Sequence, residues 1–240
     1  MINCPSQCAE QIVGRERDQR TCHRQLVRNM VDRRRVNSTV RHRDTMIQAT
    51  QSNLHWNYFI ALERDLEVVS RYVEFCEPNF DVYSIEFAHL LFAAASEVDV
   101  IAKLLCKRLR PAAPRANINN YRAVLAADIP NLTTIQVFVP RYGLTLTPWD
   151  NWSRGNNPVW WRSYNNVKHQ RDAHFNQATL KNALNALGAL LIVTHEHYRH
   201  ALAPAGAGPQ SHMDTTIDLQ PESTLLRFSD DYYYQTITTG

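Results

Sequence analysis

Glycine is scarce in this chain, with 7 residues in 240, or roughly 3% against a usual value near 7%. Phosphate-binding P-loops and dinucleotide-binding turns both need several closely spaced glycines, and neither fingerprint can be written in this sequence. P-loop nucleotide hydrolases and Rossmann-type dehydrogenases are therefore excluded. The same scarcity argues against a fold that is built from many tight turns.

Long apolar runs are also absent. Nothing in the first 45 residues is apolar enough for a signal peptide, and no stretch is long enough to span a membrane. We therefore expect a cytoplasmic protein that does not enter a membrane. The composition, 44% apolar and 20% charged, is that of a globular protein. The length suits one domain with appendages, or at most two small domains.

The net charge of +3 is unevenly distributed. Residues 1–45 hold ten arginines and five acidic residues, a net +5, which leaves −2 for residues 46–240. Residues 1–45 have no periodic apolar pattern, so we predict a disordered basic segment there. Three interpretations stay open: a nucleic-acid-binding arm, a solvated tail without a role, and a start codon assigned too early, since Met46 begins the first well-patterned stretch.

Metal ions and cofactors are not predicted. Cys76 and Cys106 lie in apolar helical patterns and are expected to be buried thiols. The N-terminal candidates lack the second close ligand pair of a zinc finger; they are Cys4, Cys8, Cys22 and His23. In the run 195–200, a helix turns His195 and His197 about 160° apart, so these two cannot share an ion.

Apolar residues recur every three or four positions over most of residues 53–200, which predicts helices. Prolines and polar caps delimit them. The expected helices are 53–76, 84–109, 119–127 and 176–199. In the second of these, Glu97 lies about 60° from the centre of the apolar stripe, where a carboxylate needs a partner because an unpaired buried charge is costly.

Between these helices, the spacing of apolar residues changes from three or four positions to two. Residues 134–139 and 144–147 alternate apolar and polar side chains, which predicts a β-hairpin near 133–148. Residues 203–240 begin with a run rich in alanine, proline and glycine and are predicted to be a flexible tail. The expected fold is mainly α: an antiparallel helical bundle over 46–202 with an inserted hairpin and disordered tails.

Four of the five tryptophans lie within 13 residues. They are Trp149, Trp152, Trp160 and Trp161. Two interpretations stay open. The rings pack the hairpin onto the bundle, or they form a surface on which the bases of single-stranded nucleic acid stack.

The densest polar run of the core is WRSYNNVKHQRDAH, residues 161–174. If residues 158–169 form one helix, Arg162, Asn165, Asn166 and His169 share a face. Arg162 and His169 are then two turns apart, about 10 Å, and their long side chains can lean together around a phosphate. Arginine is a permanent planar cation that suits phosphate oxygens, and histidine transfers protons near neutral pH.

This arrangement resembles a known family. Arginine, six residues and histidine at the head of a late helix resemble the Arg-x(4–6)-His motif of HEPN domains. The phrase WWRSYNNVKHQRDAHFNQATLKNALNALGAL is similar to the Tyr-Asn-x-x-Lys-His-x-Arg form of many HEPN-like bacterial proteins. The phrase FAAASEVDVIAKLLCKRL resembles the long HEPN helix with an inward acidic residue, here Glu97. The resemblance covers roughly residues 54–200.

The resemblance implies a metal-independent endoribonuclease that acts as a homodimer, with two motifs in one cleft. By position, Arg162 would hold the scissile phosphate, and His169 would assist proton transfer as the ribose 2′-hydroxyl attacks. Glu97 would support them, while substrate contacts would come from Trp161, Asn165, Asn166, Lys168 and Arg171. Active members often have asparagine after the motif arginine, and this chain has Ser163.

Two alternatives to the enzyme stay open. Non-catalytic HEPN-like domains bind RNA or serve as dimerisation and interaction modules. The polar run also fits a purely structural use, in which it caps helices and pairs with Glu97. For the endoribonuclease and for the non-catalytic module, RNA is the expected substrate or ligand. A toxin–antitoxin or phage-defence setting, with an antitoxin or another partner protein, is what the family resemblance suggests.

Overall fold

The computed structural model describes residues 52–234, and the predictions for residues 1–45 lie outside the described residues. The fold is mainly helical, with a small three-stranded antiparallel sheet. None of the helices in the described range has the length and apolarity to cross a membrane.

Helix positions follow the predicted pattern closely in the middle of the chain. In chain order the helices are α1 Leu54–Val69, α2 Ile85–Leu109, α3 Ile118–Asp128, α4 Val159–His169, α5 Arg171–His174, α6 Leu180–Ala201, α7 His212–Asp218 and α8 Asp230–Tyr234. Helix α1 ends at Val69, earlier than predicted. Helix α6 begins at Leu180 rather than near 176, because the Thr179 hydroxyl accepts a hydrogen bond from the Asn182 N–H and caps the helix there.

Helix α6 is the centre of the core. Its residues are buried on nearly every face from Ala183 to Thr194, and α1, α2, α4 and α7 pack around it. The hairpin also lies against α6 at Gly188, where a Cβ atom would come within 3.0 Å of Pro148 Cγ. The absence of a side chain at this position therefore lets the hairpin approach the helix.

The sheet confirms the predicted hairpin and extends it. Strands β1 (Val137–Val139) and β2 (Leu144–Leu146) pair antiparallel, with Val137 opposite Leu146. A third strand, β3 (Arg227–Phe228), pairs antiparallel with the other edge of β1. This strand comes from the predicted flexible tail, and its two residues are too few to show an alternating pattern in the sequence.

Residues 211–234 are structured, which corrects the prediction of a flexible tail over 203–240. The segment is anchored by the carboxylate of Glu63 on α1, whose residue exposure is 2%. One carboxylate oxygen or the other accepts hydrogen bonds from the Ser223 hydroxyl and from the backbone N–H groups of three residues: Thr224, Leu225 and Leu226. A buried charge is thereby satisfied by four donors from the far end of the chain.

We expect Glu63→Ala to lower the free energy of unfolding by about 3 kcal/mol, because each donor left without a buried acceptor costs roughly 1–3 kcal/mol. Urea denaturation measures the effect. The matched control is Glu67→Ala, one turn further along α1, where an exposed ion pair with Arg141 (3.3 Å) contributes less than about 1 kcal/mol. Equal losses for the two variants would show that the carboxylate does not anchor the segment.

Candidate functional site

Helix α4 forms as the sequence predicts, over Val159–His169. Pro158 precedes the first helical residue, and the Asn151 side-chain oxygen accepts the N–H of Val159 at 3.1 Å. That contact satisfies one of the N–H groups that have no partner within the helix. The helix ends where Gln170 leaves the helical backbone region, so His169 is its last residue.

The two faces of α4 differ sharply. Arg162, Asn166 and His169 are exposed and Asn165 is half-buried, so the predicted polar face exists. The opposite side is buried and consists of Trp160, Trp161, Ser163, Tyr164 and Val167. Packing on this side fixes the direction in which the polar face points.

Arg162 and Asn166 line a groove of about 530 Å³ between α4, the segment 175–179 and the start of α6. The charged residues of its lining are Arg162, Lys181 and Asp81, a local charge of +1. Such a surface suits an anion that is held by side-chain donors.

The floor of the groove is a hydrogen-bonded set of amides and hydroxyls. The buried Asn182 side chain donates to the Ser163 hydroxyl at 3.0 Å and to the Gln177 carbonyl at 2.9 Å. Asn166 donates to the Gln177 side-chain oxygen at 3.0 Å. Ser163, which stands where active HEPN members often have asparagine, therefore joins α4 to α6.

Backbone amides at the start of α6 are already occupied. Leu180 donates its N–H to the Val82 carbonyl at 2.9 Å, and Lys181 donates to the Phe80 carbonyl at 3.1 Å. A free helix N-terminus binds anions through such groups. In this groove the affinity for an anion depends instead on the side chains of Arg162 and Lys181.

His169 lies on the same face as Arg162, one turn beyond the groove. Within residues 52–234, neither His169 nor the Arg162 guanidinium makes a side-chain hydrogen bond or ion pair. His174 is held differently, since its Nδ1 accepts from the Gln177 amide at 3.3 Å and its Nε2 lies 3.2 Å from the Gln170 side-chain oxygen. Arg162 and His169 thus share one exposed face, and no side chain within residues 52–234 orients either of them.

Lys168 and Arg171 do not join this groove. The Lys168 ammonium lies 5.3 Å from the centre of the Tyr164 ring, and the Arg171 guanidinium lies 5.3 Å from that of Phe92. These two rings meet edge to face on the side of α4 that packs against α2. The predicted substrate contacts therefore separate into two surfaces.

Glu97 pairs with His55 rather than with the motif. The Nδ1 atom of His55 lies 2.5 Å from a Glu97 carboxylate oxygen, between α1 and α2. The predicted need of this carboxylate for a partner is confirmed. The predicted supporting contact with Arg162 and His169 is absent among the described residues.

The clustered tryptophans are part of the core. The four side chains expose between 0% and 8% of their surface. The ring of Trp149 contacts those of Trp152 and Trp160, and Trp160 contacts Trp161. Of the two interpretations, packing of the hairpin onto the bundle is the one the structure bears out. The ring of Trp161 offers no free face on which a base can stack.

Trp161→Ala is accordingly expected to lower the free energy of unfolding by about 3–5 kcal/mol, as for other large buried aromatic side chains. The neighbouring substitution Arg162→Ala, at an exposed position, is the control and changes it by less than about 0.5 kcal/mol. Both are measured by chemical denaturation. Similar values for the two variants would contradict the assignment of Trp161 to the core.

A second polar cluster lies buried where α6, α7 and α8 meet. His195, Glu196 and His212 each offer a ligand atom, and these atoms lie within 4.8 Å of one another. Arg199 donates to both Glu196 oxygens, at 3.2 and 2.9 Å, and the Tyr232 hydroxyl donates to one of them at 2.7 Å. The sequence pattern did not indicate this cluster, because His212 and Tyr232 come from the predicted tail.

Burial dominates the titration of this cluster. It lowers the pKa of His195 well below its ordinary value and that of His212 to about 3, and cationic neighbours lower both further. It raises the pKa of Glu196 and of Tyr232. Both imidazoles are therefore neutral at pH 7. His197 is on another side of α6, where its ring meets His55 edge to face, so the predicted separation of His195 and His197 is confirmed.

Comparisons with known proteins give no relative for this chain. No family model matches it, and no curated protein or solved structure does either. The likeness to HEPN domains therefore rests on the two phrases quoted above, residues 92–109 and 160–190. Function is inferred from the side chains of the site.

Proposed function

We propose that the protein is a HEPN-like, metal-independent endoribonuclease, in which Arg162 holds the scissile phosphate and His169 transfers a proton. The observation that carries the proposal is their placement two turns apart on the exposed face of α4, with Arg162 in a groove of net positive local charge. The rise between them, about 10 Å, is one that two long side chains can bridge around a phosphodiester.

The proposed reaction needs no group from outside the RNA and the protein. The ribose 2′-oxygen attacks the adjacent phosphorus as its proton passes to the imidazole of His169. The bond to the 5′-oxygen breaks, and that oxygen takes a proton back from the imidazolium. The products are a 2′,3′-cyclic phosphate and a 5′-hydroxyl. His169 is the proton-transfer group, and Arg162 stabilises the charge that develops on the phosphoryl oxygens.

For this function we expect wild-type protein to cleave RNA in EDTA, and His169→Ala and Arg162→Ala to reduce the rate by at least about 10²-fold, the usual contribution of a proton-transfer group or a charge stabiliser. Single-turnover cleavage of mixed RNA measures the rate, and end analysis identifies the cyclic phosphate. Matched controls are His89→Ala and Arg64→Ala, both at exposed helical positions.

Equal cleavage by wild type, His169→Ala and Arg162→Ala would overturn the enzyme assignment and indicate a contaminating nuclease. Cleavage that EDTA abolishes and added Mg²⁺ restores would overturn the proposed metal independence.

A homodimer completes the proposed site. Exposed apolar side chains lie near the groove: Val159 is part of its lining, and Val82, Tyr83 and Ile85 are exposed residues that follow the lining residue Asp81 along the chain. A second copy that covers these side chains would bring its own α4 to the same groove. It would also supply the orienting contact that His169 lacks within the described residues of one chain.

We expect the protein to sediment as a dimer and Ile85→Lys to shift it toward monomer, with cleavage lost in parallel. Ile85 is 62% exposed, so lysine is tolerated in the monomer, whereas a charge buried in an apolar interface is costly. Sedimentation velocity measures the mass. Leu54→Lys, at an equally exposed apolar residue of α1, is the control that keeps the dimer. A wild-type monomer that cleaves RNA would contradict this arrangement.

The alternative function is a non-catalytic RNA-binding module. The absence of an orienting partner for His169 in the described part of the chain favours it, together with serine at position 163. In that case RNA binds without cleavage, and binding weakens as salt rises. Arg162→Ala would then lower the affinity and reduce the salt slope by about one. A protein that neither binds nor cleaves RNA would contradict both proposed functions.

The cellular setting is part of the proposal. A ribonuclease of this kind acts in the cytoplasm, where its RNA substrates are. The resemblance to HEPN domains suggests a toxin–antitoxin or phage-defence role with a partner protein that restrains the activity.

A further inference from the structure

The buried cluster of His195, Glu196, His212 and Tyr232 is separate from the groove. His195 is 13 residues along α6 from Asn182 in the groove floor, a distance of about 20 Å. The cluster joins α6 to two elements of the C-terminal segment, α7 and α8. It therefore needs an explanation of its own.

The contacts around Nε2 favour one tautomer of His195. The Thr216 hydroxyl donates to the His212 carbonyl at 2.9 Å, since a carbonyl only accepts. The same hydroxyl oxygen lies 3.1 Å from Nε2 of His195, and its single proton is already used. With the Thr216 proton on the His212 carbonyl, Nε2 carries a proton and donates to the Thr216 oxygen, so that the neutral imidazole presents a lone pair at Nδ1.

Among the described residues, that lone pair has only one long contact. The nearest hydroxyl is that of Tyr232, at 3.5 Å from Nδ1, and it donates its proton to Glu196 at 2.7 Å. Nδ1 of His212 has no hydrogen-bond partner, and the side chain is only 8% exposed. Buried polar atoms without partners are uncommon and costly. The unpartnered His212 Nδ1 lies 3.8 Å from Glu196 Oε1, and a metal ion between this oxygen and the two imidazoles would supply the partner that this nitrogen lacks.

We propose that His195 Nδ1, Glu196 Oε1, His212 Nδ1 and the Tyr232 hydroxyl oxygen bind one zinc ion that clamps α7 and α8 to α6. Two imidazole nitrogens and a carboxylate are zinc ligands. A tetrahedral site with bonds of about 2.1 Å puts its ligand atoms about 3.4 Å apart. The ligand atoms of His195, Glu196 and His212 lie within 4.8 Å of one another and reach that spacing with inward shifts of about 1 Å or less, whereas the Tyr232 oxygen, now 2.7 Å from Glu196 Oε1, moves away from it by about 0.7 Å.

The surroundings of the cluster suit this role. A histidine that binds a metal usually donates its other ring N–H to an acceptor, which orients the ring, and His195 does so to Thr216. Arg199 donates more closely to Glu196 Oε2, at 2.9 Å, than to Oε1, at 3.2 Å, so a metal ion at Oε1 would replace the longer of these two contacts. All four side chains are buried, and four protein ligands would leave no open position on the ion, which is the form of a structural zinc site.

Metal binding is tested on the full chain with Cys4, Cys8 and Cys22 changed to serine, stripped with EDTA and dialysed. Isothermal titration with Zn²⁺ should give one equivalent, and Zn²⁺ should raise the melting temperature. Co²⁺ should give the visible bands of a tetrahedral site without a thiolate charge-transfer band. In this background His212→Ala should weaken Zn²⁺ binding more than tenfold, whereas the surface control His89→Ala should not.

Tyr232→Phe keeps the ring in place and removes one proposed donor, so it tests the site even if His212→Ala fails to fold. It should weaken binding and alter the Co²⁺ spectrum. No Zn²⁺ binding by the cysteine-substituted chain, or binding that neither variant weakens, would overturn the proposal. None of these measurements involves RNA, so the result is independent of the ribonuclease proposal.

Discussion

Burial of α6 on almost all sides is the constraint on which the other features depend. A helix that is apolar all round must be enclosed by its neighbours, and each fully buried leucine contributes about 1.5–3 kcal/mol. Helices α1, α2, α4 and α7 provide that enclosure. As a result, the two ends of α6 carry different chemistry, with Asn182 in the floor of an open groove and His195 and Glu196 in a closed cluster.

The polar face of α4 owes its position to the apolar face behind it. Trp160 and Trp161 bury one side of the helix against the hairpin and the bundle, so the side chains at 162, 166 and 169 have only one direction left. Ser163 then ties α4 to α6 through Asn182. The site is therefore held by rigid elements, which is what a phosphate-binding arrangement requires for accurate placement of its donors.

Features that depend on a single periodic segment were predictable from the sequence, and contacts between distant segments were not. Helices α2 to α4 and the hairpin follow from local patterns, and so does the shared face of Arg162 and His169. The anchoring of residues 223–226 by Glu63 was not predictable, because three of its four donors are backbone N–H groups, which leave no trace in residue types. The pairing of Glu97 with His55 joins two helices whose relative rotation no local pattern specifies.

The net charge of residues 46–240 bears on the proposal that the ligand is RNA, which is a polyanion. Residues 46–240 carry a net −2, so the folded part provides no long-range attraction for a polyanion, and steering of that kind needs an extended positive field. Affinity must then arise at short range, from Arg162 and Lys181 in the groove. In the proposed homodimer, the second groove would double these cations without adding a continuous basic surface. Under the proposed function, such a site would recognise a phosphodiester that is already presented to it, which favours exposed, single-stranded RNA over a long duplex.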